Sequence, residues 1–241
     1  MDFIKGEVLY VAKPLNWTSF NLVNKLRWKL QKTLKMKLKV GHAGTLDPLA
    51  TGVMIICTGK STKLIESFQY QTKEYIATLK LGATTPSFDL ELPEDATYPT
   101  EHISREMVDE IIQRFLGEIH QVPPAYSAVK VDGKRAYEYA RNGLKIELKP
   151  KLLVIDDIEV LDFTLPILKI RVVCSKGTYI RALARDIGLA LGSGAHLIAL
   201  ERTRIGEIRL KDCWQIDDLI ESFENEILST QPLQINPSAI N

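Results

Sequence analysis

An α+β fold is predicted for this chain of 241 residues by three observations. Segments with the two-residue alternation of strands and segments with helical spacing follow one another irregularly, without the strand–helix–strand repeat of a parallel α/β sheet. Hydrophobic residues make up 45% of the chain and charged residues 25%, a globular composition able to bury a sizeable core. No internal repeat, low-complexity tract or Gly-rich phosphate loop of Walker or dinucleotide type breaks the pattern. At this length, one large domain or a domain with a sizeable insertion is expected.

The elements follow in order. TSFNLVNKLRWKLQKTL (18–34) sets Val23, Leu26, Leu30 and Leu34 on one face behind Thr18 or Ser19 as N-cap, with Lys25, Lys29 and Lys32 together on another. That describes an amphipathic helix with a basic outer side. VMIICT (53–58) is a short apolar run whose length does not decide between strand and buried helix. Tyr75, Ala77, Leu79 and Leu81 alternate with Ile76, Thr78 and Lys80, the period of a strand with one face inward. ATTPSFDLELPEDATYPT, with three prolines, is a polar connection. SREMVDEIIQRFL (104–116) places Met107, Ile111 or Ile112, and Phe115 at helical spacing behind a Ser cap.

From Ile119 to Gly143 the chain is expected to leave the core. Pro123 and Pro124 do not suit a central strand, Asp132-Gly133 marks a turn, and Arg135 to Arg141 make one to two helical turns. LLVIDDIEVLDF and ILKIRVVCS read as two strands flanking a loop with Pro166. KGTYIRALARDIGLALG then enters a helix with Ile180, Leu183, Ala184, Ile187 and Leu191 on its apolar side, ended by Gly192, and with Arg181 and Arg185 sharing another face. Near the end, DDLIESFENEIL reads as a short helix with Leu219, Ile220, Phe223 and Ile227 inward.

The formal net charge of +1 conceals an asymmetry. Residues 1–90 hold 13 Lys/Arg against 6 Asp/Glu, whereas residues 212–241 hold 6 acids and no Lys/Arg. Lys25, Arg27, Lys29, Lys32, Lys35, Lys37 and Lys39 follow one another without an acid, a block suited to a polyanion. By charge alone a solvated helix face explains it equally well. Cys57, Cys174 and Cys213 are odd in number and lack Cys-x-x-Cys spacing, which favours a reduced, cytoplasmic setting over a disulfide framework or zinc site. No segment approaches the roughly 18 apolar residues of a membrane span, and the start lacks a signal pattern.

The loop GHAGTLDPLATG (Gly41 to Gly52) carries one aspartate among glycine, proline and small residues. Pro48 pushes Asp47 toward extended angles, out of any helix, and the glycines permit tight turning. A lone Asp-Pro is most simply a turn or a cap. Two features point further: the loop starts just after the basic block, and Tyr75, Tyr179 and Arg181 stand at the start of a strand and at a turn into a helix.

VGHAGTLDPLATGVMIICTGKSTK, TKEYIATLKLG, QVPPAYSAVKVDGKRAYEYAR, CSKGTYIRALARDIG and GAHLIALERTRIG resemble, in order, the five sequence blocks of the bacterial tRNA pseudouridine synthase B (TruB) family, a likeness reaching from about residue 8 to residue 206. The resemblance implies a pseudouridine synthase core: a mixed, mainly antiparallel sheet with flanking helices and a central catalytic cleft. It implies isomerisation of the uridine at position 55 in the T loop of tRNA, with no cofactor, no metal and no obligate protein partner. Asp47 matches the catalytic aspartate, as nucleophile at the ribose or as base. Arg181 matches its arginine partner, and Tyr75 the tyrosine whose ring stacks on uracil and whose hydroxyl is placed for proton removal from carbon 5. His42 matches the residue that fills the gap left by an extruded nucleotide; Tyr179 and Leu200 match residues lining the uridine pocket. Lys13 resembles part of an N-terminal motif near the site, and Lys60, Lys63, Lys130 and Arg141 are candidates for binding phosphate.

The resemblance is incomplete in two places. Pro86 stands where the family has a polar residue, which puts the shape of that loop in question. Residues 1–211 are read as the catalytic domain, with an RNA-binding excursion at about 119–143. Residues 212–241 are an acidic tail in place of the PUA-type domain common in the family, and its charge would repel phosphate. Two other readings remain: a tRNA-binding folding helper, and a metal-dependent hydrolase using His42, Asp47 and Asp89, for which no third ligand stands at a recognisable spacing.

Overall fold

The computed structural model describes residues 1–144 and 146–230, the last four of them by backbone alone. The chain opens with β1 (Val8–Lys13) and α1 (Ser19–Leu34). Thr18 is the N-cap, its hydroxyl accepting from the Asn21 amide, and α1 buries Leu22, Val23, Leu26 and Leu30. Leu34 is only partly buried.

Two strands follow, β2 (Val40–His42) and β3 (Ala50–Thr58). The ambiguous VMIICT run is a strand. Met54 and Ile56 belong to the main core, while Val53, Ile55 and Cys57 join a smaller cluster on the other face with Ala43 and Ile205. Burial on both faces is why alternation is missing there. After α2 (Ile65–Tyr70), β4 (Lys73–Leu81) shows the expected alternating burial, with Tyr75, Ala77, Leu79 and Leu81 inward.

β5 (Ala83–Thr84) and β6 (Ala96–Thr97) form a small separate ladder, and α3 (Arg105–Gln113) starts behind Ser104, whose hydroxyl accepts from the Met107 amide. β7 (Gly117–Gln121) is an edge strand of the main sheet, so the excursion starts after Gln121 rather than at Ile119. The prolines at 123 and 124 end it, since they cannot donate to a ladder. The excursion contains β8 (Lys130–Val131), β9 (Lys134–Arg135) and α4 (Ala136–Arg141), with Asp132 and Gly133 both at positive φ in the hairpin turn.

The two long strands β10 (Lys151–Thr164) and β11 (Ile167–Cys174) precede α5 (Ile180–Ala190), β12 (Ala195–Ile205), β13 (Ile208–Arg209) and α6 (Ile216–Thr230). The main sheet runs β1-β3-β12-β4-β11-β10-β7, with β2 on β3 and β13 on β12. Its pairings are antiparallel except that of β12 with β3. α1, α3, α5 and α6 share one core on one face of this sheet. Among the described residues, no helix is long and apolar enough to cross a membrane.

The acidic C-terminal segment is built into the fold. Leu219, Ile220 and Phe223 of α6 are buried, and Phe223 meets Phe3 edge-to-face at 5.5 Å. The side chain of Ile227 and residues 231–241 lie outside those described. Asp217 pairs with Lys25 at 2.5 Å and Glu224 with Lys29 at 3.1 Å. Two cations of the basic block therefore face an acidic helix and not solvent alone. Truncating Phe223 to Ala is expected to cost about 3–5 kcal/mol; a urea titration showing no drop in midpoint would mean α6 is not part of the cooperative core.

Candidate active site

Residues 43–49 join β2 to β3 and are pinned from both sides. The Ala43 amide donates to the Ile55 carbonyl (2.9 Å) and the Ala50 amide to that of Asp47 (3.1 Å). The Leu46 amide donates to Ser19 Oγ (2.8 Å), whose hydroxyl donates back to the Leu46 carbonyl (2.9 Å). The Pro48 carbonyl accepts from the Asn16 amide (2.9 Å) and from Lys13 Nζ (3.4 Å). With its neighbours fixed in this way, Asp47 turns its carboxylate into a cleft, keeping 41% of the side chain exposed.

Arg181 reaches that carboxylate from the first turn of α5. The N-cap of this helix, Tyr179, is tied to the end of β7: its amide donates to Gln121 Oε1 (2.9 Å) and its carbonyl accepts from Gln121 Nε2 (3.1 Å). Arg181 is buried, its Nε is 2.9 Å from Asp47 Oδ2 and its Nη1 3.5 Å from Asp89 Oδ2. Its remaining donors go to the carbonyls of Ser87 (3.1 Å) and Tyr126 (2.9 Å). Desolvation by the cleft walls raises the pKa of Asp47 above the ordinary aspartate value, with Arg181 acting against it and Asp89 adding to it.

The cleft has a volume of about 690 Å³, within the range of small-ligand sites, and it brings together most of the residues singled out in the sequence. His42, Tyr75, Tyr179 and Leu200 line it beside Asp47 and Arg181. Burial raises the pKa of Tyr75 and of Tyr179, so both phenols are neutral, and it lowers that of His42, whose buried Nδ1 has no partner among the described residues. Arg141 lines the rim, stacked over Tyr137 and 3.3 Å from Glu91, so that an exposed and hence weak ion pair joins the excursion to the opposite wall.

Four candidates lie elsewhere. Lys60 and Lys63 stand on the turn Gly59–Leu64, and Lys130 is exposed on the β8–β9 hairpin; none lines the cleft. Lys13 is a correction of another kind. It is buried, and its ammonium donates to the carbonyls of Pro14 (2.9 Å) and Trp17 (2.6 Å) as well as Pro48, so it braces the Asp47 loop from behind. Asp89 and Arg202 belong to the site although their sequence context does not place them there. Asp89 is a metal-ligand candidate by residue type alone; in the fold it and Asp47 converge on the Arg181 guanidinium, which fills the space between the two carboxylates.

This architecture, with a carboxylate and guanidinium at the base of a central cleft, is that of a pseudouridine synthase core. In a solved structure titled "Crystal Structure of a Cbf5-Nop10-Gar1 Complex", a chain 29% identical superposes with a TM-score of 0.68 over 92% of this chain and 55% of that one. Residues 31–180 match the model of the TruB family pseudouridylate synthase N-terminal domain, and residues 181–234 that of the tRNA pseudouridylate synthase B C-terminal domain. The tRNA pseudouridine synthase B of Parabacteroides distasonis is 70% identical over 92% of this chain and 96% of its own length. That of Phocaeicola vulgatus is 66% identical over 94% and 97%. The chain belongs to the TruB family of pseudouridylate synthases.

Gly52 shows how tightly the site is built. Its φ is +112°, and a Cβ there would stand 2.2 Å from the carbonyl oxygen of Arg202 on the adjacent strand. Gly52→Ala is therefore expected to destabilise by more than about 1 kcal/mol; an unchanged melting temperature would show that β3 and β12 can part without cost.

Proposed function

We propose that this protein isomerises the T-loop uridine at position 55 of tRNA to pseudouridine in the cytoplasm, with Asp47 as the carboxylate that engages the ribose. The observation that carries the reading is the 2.9 Å Asp47–Arg181 pair at the base of a cleft lined by Tyr75, Tyr179 and Leu200. The pair suits a reaction in which positive charge develops at carbon 1′ of the ribose. An aimed carboxylate stabilises that charge, or bonds to it, and Arg181 favours the ionised form. The Tyr75 ring packs against the base. Its buried phenol holds its own proton, so its role begins as a neutral wall of the pocket and not as a phenolate base. His42, neutral and lining the cleft, is placed to occupy the position of the extruded nucleotide.

Residues 1–211 constitute the catalytic unit, with α6 closing its core. Grip on the RNA comes from the excursion after Gln121, with Arg141 at the cleft and Lys130 on its hairpin, from Lys60 and Lys63, and from the part of the basic block that α6 leaves open. Trp28 is exposed, with Lys32 Nζ 5.0 Å from its ring centre, and Lys35, Lys37 and Lys39 follow beyond the helix. Removing Lys32, Lys35 and Lys37 together is expected to lower the slope of log affinity against log salt by up to about 2–3, at about 0.7–0.9 for each phosphate no longer neutralised. Removing Lys25 and Lys29, already paired with acids, is expected to change it less. Equal effects in filter binding would mean that the α1–α6 pairs open on RNA.

The direct test is incubation with an unmodified tRNA transcript, without metal or cofactor, followed by carbodiimide-dependent primer stops. A single T-loop stop is expected from the parent and none from Asp47→Asn, with RNA binding retained. Binding without any stop would favour the reading as an RNA-binding helper, and turnover by Asp47→Asn would remove Asp47 from the mechanism. The active form is the carboxylate, so rate is lost as pH falls through the Asp47 pKa. Because that pKa is raised, the acid limb of the single-turnover rate is expected above the ordinary value of 3.8; a limb below 3.8 would mean that Arg181 outweighs desolvation.

A further inference from the structure

Three cations lie buried around the cleft without a carboxylate partner among the described residues. Lys13 is 1% exposed, Arg202 2% and Lys73 6%. Lys13 and Lys73 donate to main-chain carbonyls alone, Lys73 to those of Gln69 and Gln71. Arg202 donates from Nε to the Val53 carbonyl (2.8 Å) and from Nη2 to that of Gly44 (3.3 Å). Arg181, by contrast, faces two carboxylates. A buried cation costs several kcal/mol when unpaired, and carbonyl dipoles offset only part of that.

The two lysines can relieve this cost by losing a proton. Burial brings both pKa values down to about 8; Asp47 works against the shift at Lys13, and the charge of Arg202 adds to it at both. Arg202 cannot, because a guanidinium stays protonated in proteins. It is thus a permanent positive charge set into the floor of the cleft, which it lines two residues after Leu200 on β12. It stands opposite Tyr75 of β4 in one direction and Gly52 of β3 in the other. Such a charge is balanced when an anion enters or forms above it.

The proposed isomerisation, on which this inference rests, forms one. When the bond from carbon 1′ to N1 breaks, its electron pair stays with N1 and the base becomes a uracil anion, its charge spread over the ring and both carbonyl oxygens. Carbon 1′ is left bonded to Asp47 or held as a cation beside it. Carbon 5 then bonds to carbon 1′, any bond from Asp47 breaking with its electron pair returning to the carboxylate, and gives up its hydrogen as a proton while N1 takes one up, so atoms and charge balance. Between these events an anion must be held, and Arg181 is already engaged by Asp47 and Asp89. We infer that Arg202 stabilises the detached uracil anion from beneath the pocket floor and holds Tyr75 in place against it. At low local dielectric a fixed charge acts without direct contact and without reorganising.

The test compares the full-length parent, Arg202→Met and Arg202→Lys on an unmodified tRNA transcript, measuring single-turnover rate, tRNA affinity and melting temperature. Arg202→Met is expected to lose on the order of 10²–10³ in rate, as for removal of one charge-stabilising donor, with affinity retained. Arg202→Lys, which keeps the charge, is expected to recover part of that loss. If Arg202→Met does not fold, Arg202→Lys carries the test on a second transcript with 5-fluorouridine at the target position. On that transcript the rate read is that of consumption of the target nucleoside, followed by nucleoside analysis, because carbon 5 of the fluorinated base has no hydrogen to give up. The detached base bears negative charge more readily, so the deficit in this cleavage rate should shrink. Parent-like rates in a folded variant, or an equal Arg202→Lys deficit on both transcripts, would overturn the assignment. A parent inert on the unmodified transcript would instead overturn the proposed function.

Discussion

The Arg181 guanidinium ties together four stretches of chain that are remote in sequence. It rises from α5 to the Asp47 carboxylate, takes in Asp89 and the Ser87 carbonyl from the connection after β4, and donates to the Tyr126 carbonyl of the excursion. Each contact satisfies a donor that burial would otherwise strand, at a cost of several kcal/mol for a charged group. The excursion, the connection and the Asp47 loop are therefore coupled to one side chain, and the shape of the cleft follows from it.

The sheet makes this convergence possible. β12 lies between β3 and β4, parallel to the first and antiparallel to the second, so Leu200 and Arg202 sit between the strand that leaves the Asp47 loop and the strand that carries Tyr75. The close approach of β12 to β3 admits no side chain at residue 52, which accounts for the glycine. Lys13, at the end of β1, and Ser19, in the first turn of α1, then brace the loop from the side away from the cleft. The main chain around Asp47 is thus held independently of its carboxylate, which pairs with Arg181.

The charge asymmetry along the chain also takes on a spatial meaning. The acids of α6 lie against Lys25 and Lys29 of α1, while Phe223 and Leu219 complete the core beneath them. A near-neutral total thus contains an internal neutralisation on one flank and, around the cleft, an excess of buried cations. Two of those cations, Lys73 and Arg202, are the feature composition hides best, because each reads in sequence as an ordinary charged residue.

Much of the fold is legible in residue spacing. The Ser104 cap follows from residue type, and the alternation of β4, the apolar stripe of α5 and the inward face of α6 from local periods of 3.6 and 2; the structure bears them out for the described side chains, and of the two cap candidates for α1 it selects Thr18. VMIICT is ambiguous in sequence because a strand buried on both faces has no period to read. The excursion begins later than Ile119 because β7 continues to Gln121 and the prolines that end it come only at 123. The ordered blocks of the TruB resemblance point to the residues that share the cleft: His42, Asp47, Tyr75, Tyr179, Arg181 and Leu200. Sequence by itself determined which side chains the TruB resemblance singles out and, for most of them, which local element bears each. Tertiary structure alone decided that Lys13 braces the Asp47 loop, that Asp89 shares Arg181, that α6 takes two cations from the basic block and that Arg202 lies buried, donating to the Val53 and Gly44 carbonyls and standing beside the Tyr75 phenol. Those properties depend on distances and solvent access between strands far apart in the chain, which no local pattern encodes.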